Sequence, residues 1–143
     1  MDITHKLKIN ASPEVIYHAV SSQEGIKGWW SADCSVGNTV GSDSLLKFNK
    51  EGMIVEMGFV TRDLQPNKKV VWECTSMPNP AWLGTKVITK ISETEGGCDV
   101  NFSHEGFDEK WKGQEPFEQT KGGWNHFVKS LVFFCEGGEG QPW

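Results

Sequence analysis

The stretch GGWNHFVKSLVFFCEGG, Gly122 to Gly138, decides the fold. Trp124, Phe127, Val128, Leu131, Phe134 and Cys135 recur at three- and four-residue spacing, so they share one face of a helix. Gly137 and Gly138 stop that helix. Its start falls between Phe117 and Thr120, just after Pro116, and Asp108 to that point reads as a loop. Gly122 and Gly123 would each cost such a helix about 1 kcal/mol against alanine. A close approach to a sheet, or to a bound molecule, is the use that offsets this cost. A long helix with one broad apolar face needs an apolar surface to cover.

The chain upstream supplies it as strands. In THKLKIN, Thr4 to Asn10, His5, Leu7 and Ile9 alternate with Lys6, Lys8 and Asn10, the pattern of a half-buried strand. ASPEVIYHAV follows. Ser12 caps a short helix, Pro13 suits its first position, Glu14 favours its positive end, and Val15, Ile16, Ala19 and Val20 form its apolar side. QEGIKGWW, Gln23 to Trp30, reads as a second short helical turn ending in two tryptophans. One ring belongs to the core and the other faces wherever the core opens; the sequence does not say which is which.

VGNTVGSDSLLKFN reads as a strand broken by Gly37 and Gly41, with Val40, Leu46 and Phe48 inward. In MIVEMGFVTRDL the apolar face is Met53, Val55, Met57, Phe59 and Thr61. QPNKK turns the chain into KVVWECT. SMPNPAWLG, with two prolines, is a loop that leaves Trp82 exposed or clamped. Thr85 to Phe107 reads as a hairpin: Val87, Thr89 and Ile91 alternate with Lys86, Ile88 and Lys90, and Val100, Phe102 and His104 form one face of the returning strand. The expected architecture is α+β: a curved antiparallel sheet of about six strands, two short helices after the first strand, and one long C-terminal helix gripped by the sheet. At 143 residues the chain is expected to form a single domain, 1–143.

Three stretches carry a resemblance to a known family. They are KINASPEVIYHAVSSQEGIKGWW (Lys8 to Trp30), GFVTRDLQPNKKVVWEC (Gly58 to Cys74) and GGWNHFVKSLVFFCEGGEGQP (Gly122 to Pro142). The chain resembles the helix-grip, START-like (SRPBCC) superfamily, also described by the Bet v 1 fold. Within it, the chain is most similar to small bacterial proteins related to the C-terminal domain of the activator of Hsp90 ATPase. The resemblance implies an elongated cavity between sheet and last helix. It also implies a choice of roles, since superfamily members bind lipids, hormones or polyketides, and some are cyclases or hydrolases. The eukaryotic relative touches its chaperone through surface residues. The separate N-terminal chaperone-binding domain of that relative has no counterpart here, which argues against a chaperone partner.

Composition narrows the classes. A net charge of −5 opposes nucleic-acid and anionic-lipid binding. No apolar run approaches a bilayer span, and the N-terminus lacks the order of a signal peptide, so a cytoplasmic location is expected. Cys34, Cys74, Cys98 and Cys135 show no C-x-x-C spacing, and no catalytic base stands near them in sequence. His5, His18, His104 and His126 form no metal motif, and the glycine-rich stretches do not lead into a helix as phosphate loops do. No metal or other cofactor is implied. No set of nucleophile, base and orienting group can be assembled for an enzyme.

Seven tryptophans and eight phenylalanines against one tyrosine are the strongest lead. Such rings fill cores or wall apolar pockets. Trp30, Met57, Phe59, Trp72, Phe102, His104, Trp124 and Phe127 are the candidate ligand-binding residues, His104 as the polar contact. The leading expectation is a carrier or sensor of a hydrophobic or amphipathic small molecule. A protein-interaction module is the alternative, motivated by the acidic loop from Asp108 to Glu118 and by a tail ending in Trp143. That tryptophan has three surfaces open to it: a partner, the second subunit of a homodimer, or its own chain. A cavity enzyme is the third reading.

Overall fold

A computed structural model describes residues 1–143. Seven strands form one antiparallel sheet. They are β1 (Ile3–Ile9), β2 (Asp33–Ser35), β3 (Asp43–Lys50), β4 (Met53–Gln65), β5 (Lys69–Ser76), β6 (Lys86–Thr94) and β7 (Gly97–Glu105), in the spatial order β1-β7-β6-β5-β4-β3-β2. Helices α1 (Pro13–Ser21) and α2 (Gln23–Trp29) follow β1, and α3 (Glu115–Cys135) lies on the concave face. Register shifts in β4, between Gly58 and Phe59 and between Thr61 and Asp63, bend the long strand around the helix.

Local chemistry fixes the corner between the two short helices. Ser12 Oγ accepts from Val15 N at 3.3 Å and starts α1. Ser22 ends α1, donating its N–H to His18 O at 3.1 Å, and its Oγ accepts from Gly25 N at 2.9 Å to start α2. A methyl at Gly25 would overlap the α1 backbone, 2.6 Å from Ala19 Cα, so only glycine lets the helices approach this closely.

The helix-grip architecture follows the sequence reading and departs from it in detail: Val15 and Met53, expected on apolar faces, are exposed. The seventh strand, β2, has three residues, too few to show a period. β3 begins only at Asp43, so Val40 lies in the preceding turn and is 60% exposed, while Leu46 and Phe48 are buried as expected. α3 begins at Glu115, with Pro116 in its first turn where a missing N–H is harmless. Phe134 faces α2 and not the sheet: its ring fills the space a side chain at Gly28 would need. A side chain at Gly122 or Gly123 would meet nothing within 4 Å, so no backbone approach explains either glycine.

Candidate ligand-binding cleft

Both members of the Trp-Trp pair are buried, and they divide the two roles. Trp29 belongs to the closed core, its Nε1 donating to Ala19 O at 2.7 Å. Trp30 lies in a dense aromatic cluster, its ring centroid 5.2 Å from Trp124, 5.5 Å from Phe59 and 6.0 Å from Trp72. These rings fill the middle of the space between sheet and helix. The void left beside Trp29, Trp72 and Phe102 is about 10 Å³, at the lower limit for one water. The elongated cavity implied by resemblance is therefore closed by side chains along much of its length.

What remains is a cleft of about 500 Å³ at one end. Its apolar walls are Trp30, Phe48, Val55, Met57, Met77, Pro78, Trp82, Trp124, Phe127 and Trp143. The polar lining consists of Asn49, Lys50 and Glu51 at the β3–β4 turn, with Asn79, Gln119 and Thr120. The volume lies within the range of small-molecule sites.

Buried hydrogen bonds hold the walls rigid. Trp124 Nε1 donates to His104 Nδ1 at 2.9 Å, and His104 Nε2 lies 2.6 Å from Thr85 Oγ1. Thr85 Oγ1 in turn donates to Trp82 O at 2.5 Å. This order assigns His104 the neutral tautomer with its proton on Nε2. Burial pushes its imidazole down to about 3, so the ring is uncharged at neutral pH. On the other side, Trp82 Nε1 donates to Thr120 Oγ1 at 2.8 Å, and Thr120 Oγ1 donates to Pro116 O at 2.8 Å. Asn79 adds Nδ2 to Pro116 O at 3.0 Å and accepts from Ala81 N. The indole protons of Trp82 and Trp124, both Asn79 amide groups and the Thr120 hydroxyl are thus engaged within the protein. The depth of the cleft offers apolar surface; its uncommitted charges, Lys50 and Glu51, lie at the rim.

Of the eight residues singled out in the sequence, Trp30, Met57, Trp124 and Phe127 line the cleft. Phe59, Trp72, Phe102 and His104 stand behind it, each at 2% exposure or less. His104 does not line the cleft, and both its nitrogens are bonded within the protein, so it supplies no polar contact to a ligand. Phe48, Met77, Trp82 and Trp143 line the cleft without having been singled out. Phe48 carried a signal, the strand phase it shares with Leu46. Trp82 sits in a short 3-10 turn (Pro80–Trp82) capped by Asn79, and is buried where proline-rich sequence left it exposed or clamped.

No group of acidic, histidine or cysteine side chains is arranged to hold a metal ion. The four cysteines are unpaired. Burial pushes the Cys74 thiol up to about 11 and the Cys135 thiol up to about 12, so neither is a thiolate at neutral pH. No helix is long and apolar enough to cross a membrane.

The family model described as activator of Hsp90 ATPase homolog 1-like protein matches residues 10–135. An Aha1 dimer from Colwellia psychrerythraea, solved in solution, is 33% identical, with 98% of this chain and 99% of that chain covered and a TM-score of 0.79. Protein SSP2350 from Staphylococcus saprophyticus is 19% identical over 100% and 98%, with a TM-score of 0.76. An AHSA1-like protein from Aeromonas hydrophila is 16% identical over 95% and 92%, with a TM-score of 0.72. The last two establish likeness of fold alone. No curated protein matches the chain. Sequence match and fold agree: the chain belongs to the activator of Hsp90 ATPase homolog 1-like family, within the SRPBCC/Bet v 1-like superfamily.

Proposed function

We propose that this protein binds an apolar or amphipathic small molecule in the cleft, its apolar part inside and its polar part at the β3–β4 turn. One observation carries this reading. The cleft of about 500 Å³ is bounded by Trp30, Trp82, Trp124 and Trp143, and the hydrogen bonds of Trp82 and Trp124 hold their rings in place without a ligand. Preformed apolar walls lower the ordering cost of binding. The engaged groups of Trp82, Trp124, Asn79 and Thr120 favour a ligand whose inner part is mostly apolar, with the Trp30 indole N–H as the uncommitted donor on the inner wall. Four unpaired thiols fit a reducing, cytoplasmic setting, and the one continuous sheet fits a single domain over 1–143.

Titration with N-phenyl-1-naphthylamine, a neutral apolar fluorophore, tests the site. Saturable binding should shift the amide resonances of Met57, Met77 and Gly123. Binding without shifts there, or no binding together with no small molecule retained in native mass spectra, rejects the reading.

A second reading has a specific support. The 33% identical relative is an Aha1 dimer, and Met53 and Ile54 are 72% and 60% exposed at the β3–β4 tip. These favour a protein-interaction role, with a second copy of this chain as the first candidate and a chaperone as another. Sedimentation equilibrium tests the homodimer; a chaperone ATPase assay with added protein tests the other. A monomer at all concentrations and an unchanged ATPase rate reject it.

A further inference from the structure

The last residues form one wall of the cleft, and they are held differently from the others. Trp143 lines the cleft, stacks on His126 with centroids 4.8 Å apart at 24°, and packs edge-to-face with Phe127. Its backbone pairs with the segment after α2: Trp143 N donates to Trp30 O at 3.0 Å, and Ala32 N donates to Trp143 O at 3.2 Å. Gln141 N donates to Ser130 Oγ at 2.6 Å, Ser130 Oγ donates to Trp29 O at 2.8 Å, and His126 Nε2 lies 2.9 Å from Gln141 O. Gly140 lies against the α2 backbone so closely that a methyl there would overlap the Gly28 carbonyl and sit 2.9 Å from Trp29 Cα.

The segment belongs to no helix or strand, and Trp143 is 55% exposed. No residue from 139 to 143 is buried, and hydrogen bonds to Trp30, Ala32, Ser130 and His126 hold the segment rather than core packing. Such segments open at a small fraction of the cost of global unfolding. Trp82 and Trp124 are anchored in the buried hydrogen-bond network and Trp30 in the aromatic cluster, so these walls open only with the core.

We propose that residues 139–143 are a removable wall of the cleft, and that Trp143 decides how freely molecules enter and leave it. This rests on the cleft being the binding site. With the tail docked, the Trp143 ring closes the side of the cleft beside Phe127. With the tail released, that side opens while Trp30, Trp82 and Trp124 keep their places. Gly140 acts as the latch: it touches backbone, not the cleft, yet its lack of a side chain is what lets the tail dock.

The test uses the full chain as wild type, Trp143→Ala and Gly140→Ala. Hydrogen exchange at the Ala32, Gln141 and Trp143 amides reports docking without any ligand. Stopped-flow release of N-phenyl-1-naphthylamine reports the cleft. The Gly140→Ala protein should exchange the Ala32 and Gln141 amides about tenfold faster, and both variants should release the probe faster by a similar factor. Slow exchange at Ile26 and Phe102 should persist in both, showing an intact core. Unchanged tail exchange in Gly140→Ala overturns the latch. Unchanged probe release in both variants overturns the removable wall while leaving the cleft as the binding site. A wild type that takes up no probe in the cleft overturns the site and the wall together.

Discussion

Trp124 donates its indole proton to Nδ1 of His104 at 2.9 Å, across the buried seam between α3 and β7. The bond joins the helix that covers the sheet to the strand beneath it. It needs a neutral imidazole, because a protonated Nδ1 has no lone pair to accept.

Acid should therefore weaken the fold through His104. In the unfolded chain the imidazole takes up its proton near 6.5, whereas in the folded protein it stays neutral down to about 3. Between those values the unfolded state holds the extra proton, so falling pH favours unfolding. The contribution is complete above about 6.5 and declines by about 1.4 kcal/mol per pH unit below it. His104→Gln removes this slope. Denaturant melts of both proteins at pH 7 and pH 5 should show the wild-type advantage shrinking at the lower pH. A constant difference would mean that His104 protonates freely in the folded state.

Gly123 should tolerate a side chain that the cleft does not. A Cβ there meets nothing within 4 Å, yet the residue lines the cleft. Gly123→Ala should stabilise α3 by about 1 kcal/mol. Gly123→Leu should also fold, while blocking uptake of N-phenyl-1-naphthylamine. Gly122→Ala, off the cleft, should share the stabilisation and leave uptake alone. Equal uptake by wild type and Gly123→Leu would place the probe elsewhere.

Leu131 should behave as core only. It is fully buried and does not reach the cleft. Leu131→Ala should cost about 2–5 kcal/mol in urea melts. Below the melting transition its probe affinity should match the wild type. A loss of affinity larger than the loss of folded protein would show that the cavity made at Leu131 reaches the cleft walls.

Much of the fold was legible because the strands are half-buried and α3 is amphipathic. Leu7 and Ile9 in β1, Leu46 and Phe48 in β3, and Val100 and Phe102 in β7 each announce a face by alternation. The α3 face from Trp124 to Leu131 announces itself by helical spacing. The three residues of β2 have no period to read, and its pairing with β3 is a tertiary fact. Phe134 keeps the helical phase but lies beyond the sheet, where α2 takes its place as neighbour.

The cleft was only half legible. Strand and helix phase put Met57, Trp124 and Phe127 on the correct side. They do not say how far a ring reaches, so residues at the mouth and rings packed behind it carry the same signature. Trp82 and Trp143 come from segments without any period. Their positions depend on hydrogen bonds to Thr120, Trp30 and Ala32 that join distant parts of the chain.

The sheet order has a kinetic consequence. From β2 to β7 each strand pairs with the next in sequence, whereas β1 pairs with β7, Ile3 opposite His104. The meander can assemble through short turns; docking β1 closes a loop of about a hundred residues and carries the larger entropic cost. If that closure follows the rate-limiting barrier, β1 acts as a fastener on a sheet already built. Ile9→Val, at a fully buried β1 position, should then speed unfolding and leave the folding limb of a chevron plot nearly unmoved. A slowed folding limb would place β1 in the nucleus. The strand made first would in the former case be the last to join, and the first to let go.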